Sequence, residues 1–478
     1  MTKKDLIKIN DYLWEIPKSF RPDMRVPARI YVSEKILEAV EEDALKQVVN
    51  VASLPGIMNY SLAMPDLHTG YGFVIGGVAA TKYPDGVISP GGVGYDISCA
   101  VRLLKSDLTR EEVSPYLDKL AAEIQKEVPS GLGRGRTIKL SIEQIDKILE
   151  GGVPKLVKQG YGEKEDIENC EEKGRMEQAD ASCVSERAKN RGRDQVGTLG
   201  SGNHFCSLEK VEKVFDEESA KVFGLFEGQV VVMIHTGSRG LGHQIATDYI
   251  HIMMRAMPKY SIRLPDRELA CAPFSSSEGQ RYFKAMSCGT NYAYSNRHMI
   301  AYYVKKAWKK VLGERTNLRL LYDVAHNIAK VEEHQIDGEK MKLVVHRKGA
   351  TRAFPAGHPE IPEKYRKVGQ PVLIPGTMGT ASYVCIGTEK GKETFYSTAH
   401  GAGRAMSRHA AMRMVSGQEV VRKLEQKGII IKCRSMRGIA EEAPLAYKDI
   451  ERVVEVVHQT GLSKKVARLM PLAVIKGE

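Results

Sequence analysis

NYSLAMPDLHTGYGFVIGGVAATKYPDGVISPGGVGYDISCAVRL, residues 59–103, decides the fold class. Short apolar runs alternate here with Gly- and Pro-rich breaks, which reads as short strands joined by tight turns. Just upstream, KILEAVEEDALKQVVN (35–50) places apolar residues three and four apart, the spacing of a helix. Downstream, residues 109–195 form a charged, helical section, within which GEKEDIENCEEKGRMEQ (162–178) is solvated charge. QVVVMIH (229–235) and LRLLY (318–322) are buried-strand runs, and TFYSTA (394–399) is a further strand. NRHMIAYYVKKAWKKVL (296–312) has the pattern of a basic amphipathic helix, and RAMSRHAAMRMVSGQEVVRKLE (404–425) is also helical. A last helix near 446–459 precedes the tail LMPLAVIKGE. Strands and helices mix without a regular βαβ rhythm, so the class is α+β, in one integrated catalytic domain spanning 1–478.

The 478 residues are 42% hydrophobic and 27% charged, which excludes wholesale disorder. A net charge of +12 points to a polyanionic partner such as nucleic acid or nucleotide. No run reaches the roughly 18 apolar residues of a membrane helix, and the first twenty residues lack a secretory apolar core, so no membrane partner is expected. Eight cysteines without CxxC spacing read as reduced thiols, which places the chain in the cytoplasm.

Five segments put a metal-type or nucleophilic side chain where a strand meets a Gly- or Asn-rich turn. They are GGVGYDISC (91–99), LGSGNHF (199–205), VVVMIHTGSRGLG (230–242), LLYDVAHN (320–327) and STAHGAGR (397–404). Turns on a rigid sheet are where sites are built. Together they offer Asp96, Cys99, His204, His235, His326 and His400. Any one of these His alone is more often structural, and the recurrence lifts the reading. Asp96 and Cys99, three apart, can face one centre, and a thiolate can bridge two metals. The donor set suits Mn, Fe or Zn. HGAGR (400–404) and PGTMGTAS (375–382) are Gly-rich turns that bring backbone close to a phosphate, the first at the start of a helix. Of the basic segments, HRKGATR (346–352) and RAKNRGR (187–193) are phosphate candidates, while KKAWKK (305–310) is a solvated helix face. Aromatic residues make up only 7%, which argues against a stacking platform for single strands.

Taken together, MPDLHTGYGFVIGGVAA (64–80), GGVGYDISCAVRLL (91–104), GTLGSGNHF (197–205), HTGSRGLG (235–242), YDVAHNIAK (322–330), HRKGATRAFP (346–355), PGTMGTASYV (375–384), HGAGRAMSR (400–408), EEAPLAYKDI (441–450) and VARLMPLAVIKG (466–477) resemble the RtcB family of RNA-splicing ligases, in family order. The resemblance runs from residue 25 to the C-terminus. It implies a β-rich core surrounded by helices, and joining of an RNA 3′-phosphate or 2′,3′-cyclic phosphate to a 5′-hydroxyl, in tRNA splicing or RNA repair. It implies GTP and two Mn²⁺ per site, one held by Asp96, Cys99 and His204, the other by Cys99, His235 and His326. His400 would carry GMP. Asn203, Ser382, Tyr447 and Lys476 would contact guanine. Asn327 and Gly401, Ala402 and Gly403 would lie along the phosphates, with Gly376, Thr377, Met378 and Gly379 also at the nucleotide. Arg187, Lys189, Arg191, Arg193, Arg347 and Lys348 are candidate RNA contacts. Asp66 and His68 lie in a matching segment without an assigned catalytic role, and Asp66 can be read as a structural turn anchor. Archease is a candidate partner, because some family members depend on it for repeated turnover.

Three positions depart from the family pattern. Leu-Glu after GNHF is here Cys206-Ser207, which bears on GTP specificity; Glu209, two along, would share a strand face and could supply the carboxylate only if the backbone shifts. Asn-Cys-Gly is Ser98-Cys99-Ala100, which asks whether position 100 needs a positive φ. Gly-Ser-Met-Gly is Gly376-Thr377-Met378-Gly379, which keeps the hydroxyl. Two other readings fit the same residues: a binuclear metal-dependent phosphoesterase, which leaves His400 without a role, and an RNA-binding protein with a structural metal cluster.

Overall fold

The computed structural model describes residues 2–131 and 139–477. Two large sheets carry the α+β fold, with helices packed around them. One sheet orders its strands Leu318–Ala325, Ala100–Thr109, Gln229–Thr236, Phe205–Val214, Ser463–Lys476, Ser382–Gly387 and Pro371–Ile374, each antiparallel to its neighbours. Ile430–Lys432 adds to Ser463–Lys476 in parallel. The other sheet runs Ile7–Asn10, Leu13–Ile16, Ala28–Tyr31, Ser61–His68, Ile75–Lys82, Glu339–Lys348 and Asn327–Ile336. Residues 59–103 thus supply strands to both sheets, as their turn-rich pattern implied.

Register explains why residues far apart in sequence meet. Val101 and Phe205 both pair with His235, Ala100 pairs with Ala325 and Thr236, and Phe205 pairs with Lys476. Because neighbouring strands are antiparallel, two of the four strands that carry or adjoin the ligands begin at this edge and two end there. Cys99 and His204 directly precede their strands, His326 directly follows one, and His235 is the penultimate residue of another. His326 is also the single residue between a strand of one sheet and a strand of the other.

The stretch 296–312 is the last part of a longer helix, Ser277–Leu312, rather than a separate amphipathic one. Ser276 caps it by accepting from the Gly279 N–H, and it contains no proline. At ~1.5 Å per residue it is on the order of 50 Å long. Residues 285–301 are all buried, so their polar groups must find partners inside. They find them at the ligand loops. Asn296 accepts from the Gly197 and Thr198 N–H groups and donates to the Thr198 and Gly237 carbonyls. Arg297 donates to the Ser98 and Thr236 carbonyls and pairs with Asp323 at 2.9 Å.

Other elements shift modestly from the sequence reading. The segment 35–50 breaks into Glu34–Glu38 and Glu42–Val51. The segment 404–425 is two helices, Arg408–Met414 and Gly417–Gln426. The last helix is Ile450–Thr460, and within TFYSTA the strand is Ser397–Ala399, while Thr394 ends a 3-10 helix. Among the described residues no helix is long and apolar enough to cross a membrane.

Candidate active site

Asp96, Cys99 and His204 gather with their donor atoms within 4.8 Å, and so do Cys99, His235 and His326. Cys99 belongs to both groups. Its Sγ lies 3.6 Å from His204 Nε2 and 3.3 Å from His235 Nε2. His204 Nε2 lies 2.9 Å from Asp96 Oδ2, and His235 Nε2 lies 3.4 Å from His326 Nε2. Burial, then the charges of neighbouring histidines, hold His235 and His326 well below the ordinary imidazole range, so both are neutral lone-pair donors. Burial pushes the Cys99 thiol well up, and Asp96 adds to this. Burial raises the Asp96 carboxyl too, but its contacts with His204 outweigh that and bring it down to about 2. Two imidazole nitrogens facing each other beside a thiol and a carboxylate form the donor chemistry of a cation site. No ordinary hydrogen-bond network requires such a set.

The backbone here leaves little slack. A Cβ on Gly237 would sit 2.4 Å from Asp96 Oδ1, so only glycine allows the Ser238 N–H to reach that oxygen at 3.0 Å. Ala100 opens its strand, so its lack of a glycine costs nothing. The positive φ falls on Ser98 (+55°) instead. Asn327 spends its side chain on structure, accepting from the Gly349 N–H and donating to the Asp96 carbonyl.

His400 stands over this cluster, its ring centroid 5.0 Å from that of His326. Asp66, fully buried, lies against it: Oδ2 is 2.5 Å from His400 Nδ1 and accepts the His400 and Gly401 backbone N–H groups. Burial pushes the Asp66 carboxyl up, but the charge and hydrogen bonds of His400 outweigh this and leave it below the ordinary range. Gly403 takes φ +67°, and a Cβ there would meet the Asp66 carbonyl at 2.2 Å. Asp66, which the sequence offered as a turn anchor, anchors a turn far along the chain, the HGAG turn at His400 and Gly401. The same contacts correct the helix-terminus reading of HGAGR: two of its N–H groups are already taken, and the next helix starts only at Arg408. His68 stacks toward His400 at 6.5 Å, and burial keeps it neutral, at about 3.

A cleft of about 470 Å³ joins these groups, large enough for a nucleotide. Its walls include Asn203, Asn327, Gly376, Thr377, Met378, Gly401, Ala402, Gly403, Tyr447 and Lys476, but neither Gly379 nor Ser382. Burial brings Lys476, which donates to the Gly202 carbonyl at 2.6 Å, down to about 8. Ser207 and Ser382 both donate to Glu209 Oε1, at 2.5 and 3.3 Å. Oε2 of Glu209 has no hydrogen-bond partner, and burial raises its carboxyl to about 7.

The basic segments divide. Arg347 is fully buried and paired with Glu332 at 2.6 Å, so it cannot meet an RNA backbone, and that expectation is corrected. Lys348 is buried as well, donating to the Tyr71 and Phe73 carbonyls, although it lines the cleft. HRKGATR is sheet interior, where charge is matched by internal carboxylates. RAKNRGR lies on the helix Glu186–Gly192. Arg187 and Arg191 are exposed there, Lys189 pairs with Asp146 at 2.7 Å, and Arg193 donates to the Leu140 carbonyl.

Arg404, Arg408 and Glu442 also line the cleft and were not singled out from sequence. Arg404 and Arg408 both pair with Glu442, at 3.2 and 2.9 Å. Their place directly after the Gly-rich HGAG turn was the available signal. Tyr71, Tyr95 and His243 line the cleft as a run of rings, a local grouping that overall aromatic content could not disclose.

A half-buried histidine beside two donor groups that share a thiol, in a cleft of nucleotide size, defines a class of site: one built to place metal ions next to a bound ligand. The family model described as tRNA-splicing ligase RtcB matches residues 47–477. The tRNA-splicing ligase RtcB of Archaeoglobus fulgidus is 55% identical over 476 residues, covering 99% of both chains. That of Thermococcus kodakarensis is 54% identical over 477 residues, again 99% of both. The RNA-splicing ligase RtcB of Mycobacterium bovis is 52% identical over 434 residues, 90% of this chain and all of its own. The chain belongs to the RtcB family.

Proposed function

We propose that this protein is an RNA ligase that joins a 3′-phosphate or 2′,3′-cyclic phosphate end to a 5′-hydroxyl end, in tRNA splicing or RNA repair, through GMP carried on His400. The observation that carries this reading is Asp66-anchored His400 set against a donor cluster in which Cys99 serves two groups. Carboxylate, imidazole and thiolate fit a pair of divalent cations, and the family resemblance selects Mn²⁺. Asp96, Cys99 and His204 would hold one, and Cys99, His235 and His326 the other. Bound there, they would neutralise phosphate charge and favour in-line displacement.

The chain's own groups do the rest. Asp66 faces Nδ1 of His400, which leaves Nε2 as the nucleophile. Nε2 bonds to the GTP α-phosphorus as the bond to the β-phosphate oxygen breaks and pyrophosphate leaves. An oxygen of the RNA 3′-phosphate then takes the GMP from His400; a cyclic end reaches this point after water opens it. Finally the 5′-hydroxyl oxygen bonds to the 3′-phosphorus, its proton passes to solvent and GMP leaves. Activation is required because a bare phosphate monoester offers no good leaving group.

For the nucleotide, Tyr447 and Lys476 line the cleft together with the 376–378 and 401–403 turns. Asn203 lines it too, and Ser382 lies just behind Gly376, accepting its N–H at 3.2 Å. Glu209, on one strand face with Ser207, offers the carboxylate that the family pattern carries two residues earlier, and its free Oε2 supports that substitution. The free thiols of all eight cysteines fit a reducing cytoplasm. Archease is the candidate partner for repeated turnover. The test is joining of 3′-phosphate and 5′-hydroxyl RNA by the purified protein with GTP and Mn²⁺. Wild type should ligate and His400→Ala should not; ligation by His400→Ala at the normal rate removes the nucleophile assignment. Release of phosphate without joining or covalent GMP would favour the phosphoesterase reading.

A further inference from the structure

We infer that the arm of the cleft formed by Tyr71, Tyr95 and His243 stacks the base of the RNA's 3′-terminal nucleotide. The inference rests on the ligase reading above. The nucleotide proposed there lies against Tyr447 and Lys476, which leaves this run of rings for the RNA.

Three observations carry it. The rings form a run: Tyr71 meets Tyr95 edge-on at 5.4 Å and 68°, and Tyr95 stacks on His243 at 4.9 Å and 22°. All three line the cleft, Tyr71 and Tyr95 partly exposed and His243 exposed, and none belongs to a hydrophobic core cluster among the described residues. Rings that pack a core are not left open to a cleft in this way. Position is the third. Tyr95 directly precedes Asp96, so a base on this run puts its own 3′-phosphate toward the ligand cluster and His400. On the outer side, the helix carrying His243 also carries Gln244, which accepts from Arg191 at 3.0 Å. Exposed Arg191 and Arg187 therefore continue the path away from the cleft, with charge for the preceding phosphates. Stacking tolerates any base, which suits an enzyme that must accept ends of differing sequence.

The experiment uses the full chain with Mn²⁺ and a short RNA that bears a 3′-phosphate and 2-aminopurine at its 3′-terminal position. Fluorescence quenching on titration reports stacking and gives the affinity. His243→Ala and Tyr71→Ala should each weaken binding by ~5- to 150-fold, the range for loss of one stacked base. His243→Phe, which keeps a ring, should restore most of it. An RNA with an abasic 3′-terminal sugar should bind wild type more weakly by the same factor, and His243→Ala should add no further loss with that RNA. Equal affinity of wild type and both alanine variants for the base-bearing RNA overturns the proposal. So does quenching confined to an RNA with 2-aminopurine at its 5′-hydroxyl end. Labelling of His400 by GTP in the same wild-type preparation separates the two failures. If labelling and ligation are intact, only the stacking arm is wrong; if both are missing, the ligase reading fails with it.

Discussion

Replacing Asp66 by Asn tests how the nucleophile is held. Oδ2 of Asp66 takes three contacts: the His400 N–H at 2.8 Å, the Gly401 N–H at 3.1 Å and His400 Nδ1 at 2.5 Å. Asparagine keeps one carbonyl oxygen for the two backbone donors, so the turn stays anchored. It removes the negative charge from beside the imidazole, which must become positive as Nε2 bonds to phosphorus. A hydrogen bond to a charged group is worth ~1.5–3 kcal/mol, and ~1.4 kcal/mol is tenfold in rate. Asp66→Asn should therefore slow single-turnover labelling of His400 from GTP by about 10- to 150-fold, with little change in melting temperature. Asp66→Ala also orphans two N–H groups, at ~1–3 kcal/mol each, so it should lose stability as well. A wild-type labelling rate in natively folded Asp66→Asn would refute the orienting role.

Cys99→Ala should lower Mn²⁺ binding at both donor groups at once, because only Cys99 is common to them; calorimetric titration that still finds two cations of unchanged affinity would rule out a bridging thiolate. Glu209 has its carboxyl raised from 4.5 to about 7, so the folded chain binds more protons there than the unfolded chain across that window. Wild type should thus lose up to ~3 kcal/mol of stability, relative to Glu209→Gln, as pH rises from 4.5 to 7; parallel denaturation curves for the two proteins across that window would contradict the burial argument. Arg297→Met leaves Asp323 with half its buried partners and frees the Ser98 and Thr236 carbonyls, which should cost about 3–5 kcal/mol in urea unfolding. A loss below ~1 kcal/mol would mean that Arg102, which also pairs with Asp323, suffices alone.

The α+β class was legible because 59–103 is punctuated by turns and the apolar runs at 229–235 and 318–322 are too short for buried helices. The five candidate ligands and His400 were legible because each lies in the same strand-to-turn context, and register then brings the ligand strands to one edge. What sequence could not show was pairing across distance. Asp66 and His400 are 334 residues apart, and nothing local in MPDLH marks the aspartate as the partner of a distant histidine. Arg347 looked like a surface cation because Gly349 suggested a turn, yet the strand Glu339–Lys348 passes through the sheet interior, where Glu332 neutralises it. The helix Ser277–Leu312 was read from its charged end because the buried middle, with Asn291, Asn296 and Arg297, breaks the apolar period. Those polar residues face the backs of the ligand loops, a role that periodicity does not encode.

The central claim is a covalent GMP on His400. Purified protein incubated with Mn²⁺ and GTP labelled at the α-phosphate, without RNA, tests it most directly. The expected result is a label that survives denaturation, is lost in acid and maps to His400. No covalent label, under conditions where the cation is shown to be bound, would contradict it.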